Sequence, residues 1–161
     1  MNPFSDKIGT WVDSVKTSLP EYASVLGENL TTVMAPNSLQ EIESHAVALA
    51  AAVAAGNGEL AFEISMNGPL FGNDEREKVL QAVIQGSIDS MQRQPCGVIA
   101  SSHNKLGDAY TIYDLATAIA LKSNRLPDII SALQKMGLTD SQLQDIEDIV
   151  SVVATVNKVV I

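Results

Sequence analysis

The stretch "TAIALKSNRLPDIISAL", Thr117 to Leu133, decides the fold. Apolar residues recur at helical spacing on both sides of it, while Lys122, Ser123, Asn124 and Arg125 interrupt the pattern in the middle. Two cations three residues apart do not belong on a continuous apolar face. The segment therefore reads as two helices joined by a short polar turn, with Lys122 favourably placed at the negative end of the first.

Working outward, the same grammar recurs. "AYTIYDLATAIAL" leads into the turn, and "LPDIISALQKMG" follows it and stops at Gly137. "LTDSQLQDIEDIVSVVATVNKVVI" opens with Thr139 or Asp140 as cap and continues as a helix. Upstream, Ile8, Trp11, Val12 and Val15 lie at helical spacing between about Ser5 and Ser18. Pro20 fits the first turn of a second helix that presents Tyr22, Val25, Leu26, Leu30 and Val33 on one face and ends at "APN". "SLQEIESHAVALAAAVAA" carries Ser38 as N-cap with Glu41 at capping-box spacing, and "GNG" at Gly56 to Gly58 stops it. "ELAFEISM" is a short helix. "NDEREKVLQAVIQGSIDSMQ" starts from Asn73 or Asp74 and aligns Val79, Leu80, Val83, Ile84 and Ile88. The one long irregular stretch is "RQPCGVIASSHNKLGD", Arg93 to Asp108. No segment alternates with period two, so the fold class expected is all-α.

Sliding the chain against itself by 66 residues produces a gapless echo. Leu49, Ala50, Ala52 and Ala54 fall on Leu115, Ala116, Ala118 and Ala120, and Leu60, Ile64 and Ser65 on Leu126, Ile130 and Ser131. Asp74 falls on Asp140, and "GNGE" falls on "KSNR". The expected layout is one domain over 1–161: N-terminal helices at 5–35, a three-helix unit at 38–92, the loop at 93–108, and a second three-helix unit at 109–161.

Composition bounds the function. The hydrophobic share is 46%, with one Trp, three Tyr and three Phe, so the core rests on Ala, Val, Ile and Leu, as closely packed helices require. A net charge of −9 disfavours nucleic acid and anionic membranes. The single cysteine, Cys96, permits no intramolecular disulfide and fits a reducing compartment. "AVALAAAVAA", Ala46 to Ala55, is too short to span a bilayer, and "MNPFSDKIGTWVDS" holds no apolar run of signal-peptide length, so a cytoplasmic location is expected. Because the Ala46–Ala55 helix is apolar nearly all round, it belongs at the centre of the bundle or at a subunit interface.

The pattern resembles the carboxymuconolactone decarboxylase and alkylhydroperoxidase D family. "SLPEYASVLGENLTTVM", Ser18 to Met34, is similar to that family's N-terminal helix, and "GLTDSQLQDIEDIVSVVATVNKVV", Gly137 to Val160, to its last helix. The resemblance implies an AhpD-like helical bundle assembled as trimers or hexamers. It also implies peroxide reduction by a Cys-x-x-Cys pair at the turn before the short helix, served by histidines and a glutamate. One thiolate attacks, the other resolves, and the histidine–glutamate pair moves protons. Carried over by position, the cysteines fall on Lys122 and Arg125, the intervening histidine on Asn124, the later histidine on Ile129 and the glutamate near Tyr110. None of the catalytic types is present, so "KSNR" reads as the family's redox turn with its cysteines replaced.

The expectation is thus a non-redox oligomeric binding or scaffold protein, needing no cofactor and no metal, with itself as partner. Lys122 and Arg125 are the candidate site for a small anion at the start of the following helix. The alternative is an antioxidant-defence enzyme using Cys96 as a one-cysteine thiol or residues not identified. Glu41 and His45, spaced i to i+4, are expected to be structural or surface groups, as is His103 in the loop. Asp140, Asp145, Glu147 and Asp148 are expected to form a solvated face.

Overall fold

A computed structural model describes residues 3–35, 38–67, 77–84 and 110–159. These residues form helices and turns, with no strand among them. In chain order the elements are α1 (Pro3–Ser18), a 3-10 turn (Glu21–Ala23), α2 (Ser24–Met34), α3 (Glu41–Ala54), α4 (Gly58–Asn67), α5 (77–84), α6 (Ile112–Leu121), α7 (Leu126–Lys135) and α8 (Asp140–Val159). The Arg93 to Asp108 loop, with Cys96 and His103, lies outside the described residues, as do Asn73, Asp74 and Ile88.

The core is built around α3, which packs against α4, α6 and α8. Every residue from Ser44 to Ala52 is buried. That answers the question its all-round apolarity posed: the helix is covered on several sides within one chain. Its small side chains leave the neighbouring helices to supply bulk, chiefly Leu115 from α6 and Ile146, Ile149, Val150 and Val153 from α8.

Three local expectations need correction. Pro20 begins the 3-10 turn rather than a continuous α-helix. Tyr22 and Val25 are then left 84% and 62% exposed, and Leu30 carries the buried face of α2. The N-cap of α3 is Gln40, not Ser38. Gln40 and Glu43 form the reciprocal capping box, with the Gln40 backbone N–H donating to Glu43 Oε1 at 3.0 Å. Ser38 is drawn away by a tertiary partner, since its backbone N–H and hydroxyl both donate to Asp145 Oδ2 on α8. Asp145 is therefore a strut between distant segments as well as part of an acidic face. Finally, the apolar stripe of α5 is split: Val79 and Val83 are buried, while Leu80 and Ile84 are exposed.

The mid-helix glycine Gly27 has a packing cause. A Cβ added there would stand 3.1 Å from Lys16 Cγ and 3.3 Å from Leu19 Cδ1, so its absence lets α2 lie close to the end of α1. The capping chemistry at the last helix follows the sequence. Gly137 has φ +114 and ends α7, and Thr139 accepts from the Gln142 N–H while Gln142 Oε1 accepts from the Thr139 N–H.

Candidate functional site

The "KSNR" segment is a true break between α6 and α7. Lys122 adopts a left-handed conformation, φ 54 and ψ 48, the only non-glycine residue with positive φ among those described. The Lys122 N–H donates to the Ile119 carbonyl at 3.2 Å and the Ser123 N–H to the Ala118 carbonyl at 2.9 Å, closing the helix end by the Schellman pattern. Glycine normally takes that position; at the end of α3 it does. Gly56 has φ +81, its N–H donates to Val53 at 3.0 Å, and the Asn57 N–H donates to Ala52 at 3.1 Å. Donors and acceptors of the two turns correspond residue by residue at a spacing of 66.

Within the turn the side chains diverge in environment. Lys122 and Asn124 are exposed, and Arg125 is half-buried at the N-cap of α7. Arg125 is engaged by another group of the chain. Its own N–H donates to Ser123 Oγ at 3.1 Å. Ile129, one turn into α7, is 4% exposed and belongs to the hydrophobic core. Tyr110 lies at the other end of α6, just before its N-cap Thr111, and is half-buried. A helix of ten residues spans about 15 Å, so Tyr110 and Lys122 stand at opposite ends of the α6–α7 hairpin. Lys122, Asn124 and Arg125 are gathered at its closed end, and Tyr110 is not with them.

At the open end of the hairpin lies a cavity of about 530 Å³ that takes in Tyr110. The beginnings of α3, α6 and α8 and the end of α7 meet there, and Leu39, Ile42, Ile112, Leu133 and Met136 make much of its apolar wall. Sequence reading missed it, because five helices separated along the chain contribute and no single segment carries the signal. A polar network at the start of α6 was also missed: Thr111 N–H and Oγ1–H donate to Asp114 Oδ2 at 2.7 and 3.0 Å, and the Asp114 N–H returns to Thr111 Oγ1 at 3.2 Å. The Thr-x-x-Asp spacing was the available signal.

His45 is turned into the core, 2% exposed, while Glu41 is exposed. The partner of His45 comes from α1: Trp11 Nε1–H donates to His45 Nδ1 at 2.9 Å, with the rings edge to face, 84° apart and centroids at 5.9 Å. Nδ1 accepts, so the neutral imidazole carries its proton on Nε2. Burial lowers the His45 pKa from 6.5 to about 4, because the imidazolium would lose its hydration. This histidine is a neutral strut holding α1 against α3. The other buried polar side chain of note is Thr117, fully buried in α6, whose hydroxyl finds no hydrogen-bond partner. Among the described residues no cluster of three His, Cys, Asp or Glu side chains is placed to hold a metal ion, and no helix is long and apolar enough to cross a membrane.

Compared with known proteins, the chain matches no family model, and no curated protein matches it significantly.

Proposed function

We propose that this protein is an alkylhydroperoxidase-D-like helical protein that has no dithiol centre and acts by binding, as a cytoplasmic homo-oligomeric scaffold. The observation that carries the reading is Ile129: the position matched to the family's proton-relaying histidine is a core side chain, 4% exposed. A relay needs a titratable group there, and isoleucine supplies none. The resemblance of "LPEYASVLGENLTTVM" and of the last helix supports the kinship, and the two Schellman turns at Gly56 and Lys122 support two units related by 66 residues.

The test is thiol-dependent reduction of an organic hydroperoxide by the purified protein and by its Cys96→Ser variant. Neither is expected to exceed the uncatalysed rate. Turnover abolished by Cys96→Ser would replace this reading with the one-cysteine antioxidant enzyme.

A small anion held by Lys122 and Arg125 is a narrower form of the binding reading. The start of α7 adds partial positive charge beside Arg125, and Asp128 in its first turn offsets part of it. Phosphate binding that Lys122→Ala and Arg125→Ala each weaken is the expected result for that site.

A further inference from the structure

The cavity at the open end of the α6–α7 hairpin has the size of a small-molecule site, at about 530 Å³. Its electrostatics narrow the occupant. Three helix beginnings meet around it, which by itself favours an anion. Here, however, each beginning carries its own acid: Glu43 at α3, Asp114 at α6 and Asp140 at α8. The capping groups that reach the wall spend part of their hydrogen bonding within the caps. Gln40 and Glu43 bond each other, Thr111 bonds Asp114, and Gln142 Oε1 accepts from the Thr139 N–H. Among the described residues, the formal charges lining the cavity are one of each sign, Lys78 and Glu43. The rest of the lining is mainly aliphatic, with the phenol rings of Tyr110 and Tyr113 among it, so apolar and polar groups share the wall. Covering the aliphatic part of such a wall with a ligand's apolar body removes hydrocarbon from water, while the polar lining groups can meet polar atoms of the ligand.

We propose that this cavity is a binding site for a neutral small molecule with an apolar body, which enters past Ile42 and Met136. It rests on the reading of the protein as a binding protein, and supplies the site and ligand class that reading lacks. Ile42 and Met136 are 40% and 59% exposed, so changing them alters the cavity wall without opening the core.

The experiment titrates the full chain with the neutral fluorescent probe N-phenyl-1-naphthylamine, and in parallel with the anionic probe 8-anilinonaphthalene-1-sulfonate. Saturable binding of the neutral probe is expected, weakened about tenfold or more by Ile42→Glu and by Met136→Glu. Phe62→Glu, on α4 and 64% exposed, removes an apolar surface group outside the cavity and is expected to leave binding unchanged. Helical circular dichroism of each variant checks that it is folded. Three results would overturn the assignment: no saturable binding of the neutral probe, equal weakening by Phe62→Glu, or tighter binding of the anionic probe that Lys78→Ala removes. Hydroperoxide turnover is read separately. A failure of the probe to bind, without turnover, removes this site and leaves the non-redox reading in place, whereas turnover with probe binding does the reverse.

Discussion

Acid should loosen this protein through one histidine. His45 titrates near 6.5 in the unfolded chain and at about 4 in the folded one. Between those values the unfolded state binds more protons than the native state, so stability falls as pH falls. The loss begins as pH drops through 6.5, is complete below about 4, and amounts to about 3 kcal/mol. At pH 5 about 2 kcal/mol of it has been incurred relative to pH 7, a sizeable part of the 5–15 kcal/mol typical of a domain. The structural reason is twofold: the imidazolium is taken out of water, and its Nδ1, now protonated, can no longer accept from Trp11.

The control is His45→Asn. Its amide oxygen falls near the place of Nδ1 and can keep the Trp11 bond, but it does not titrate. The smaller side chain costs stability at every pH, so the quantity to compare is the change between pH 7 and pH 5 within each protein. Trp11 is the only tryptophan and sits at the site, which makes its fluorescence the natural signal for urea unfolding. The wild type is expected to lose about 2 kcal/mol more than His45→Asn over that interval. Measurements stop at pH 5, so that the comparison rests on the interval in which the two proteins differ by the imidazole. If the two proteins lose the same stability, the buried neutral histidine is not the source and the reasoning fails.

Three further substitutions probe the helix termini and the core. Lys122→Gly relieves a left-handed backbone that costs a side-chain-bearing residue about 1 kcal/mol, so its urea midpoint should rise, while Gly56→Ala at the matching turn should lower it by a similar amount. A fall for Lys122→Gly would mean that the lysine side chain contributes more than its backbone costs. Thr117→Val keeps the shape and removes a buried hydroxyl without a partner, and is expected to stabilise by about 1 kcal/mol in thermal or urea unfolding. Marked destabilisation would reveal a hydrogen bond to Thr117 that the structure does not show.

Much of the helical layout is legible because its signals are local. Gly137 and Thr139 are read from neighbours three or four residues away, and each performs in the structure the role its spacing implies. Where two local signals compete, sequence cannot choose. Ser38 with Glu41 and Gln40 with Glu43 both offer a cap, and Asp145, more than a hundred residues away, decides by taking Ser38. Trp11 and His45 fail for the same reason on a larger scale: both sit on recognisable helices, but nothing in either helix announces the other. The cavity is harder still, since no wall of it is built from one segment.

The turn at Lys122 shows why fold and chemistry were legible to different degrees. Its shape is set by main-chain bonds from residues 122 and 123 to the carbonyls of Ile119 and Ala118, with Ser123 Oγ adding a bond to the Arg125 N–H. Lysine here and glycine at Gly56 close the same bonds at nearly the same lengths. The fold therefore asks of these positions only that one residue tolerate a left-handed conformation. It leaves the exposed side chains at 122 and 124 free to be thiols, cations or amides. A pattern of apolar spacing and helix stops is therefore compatible with many kinds of side chain at the turn. That pattern speaks to architecture, while function must be sought in what the turn and the cavity present.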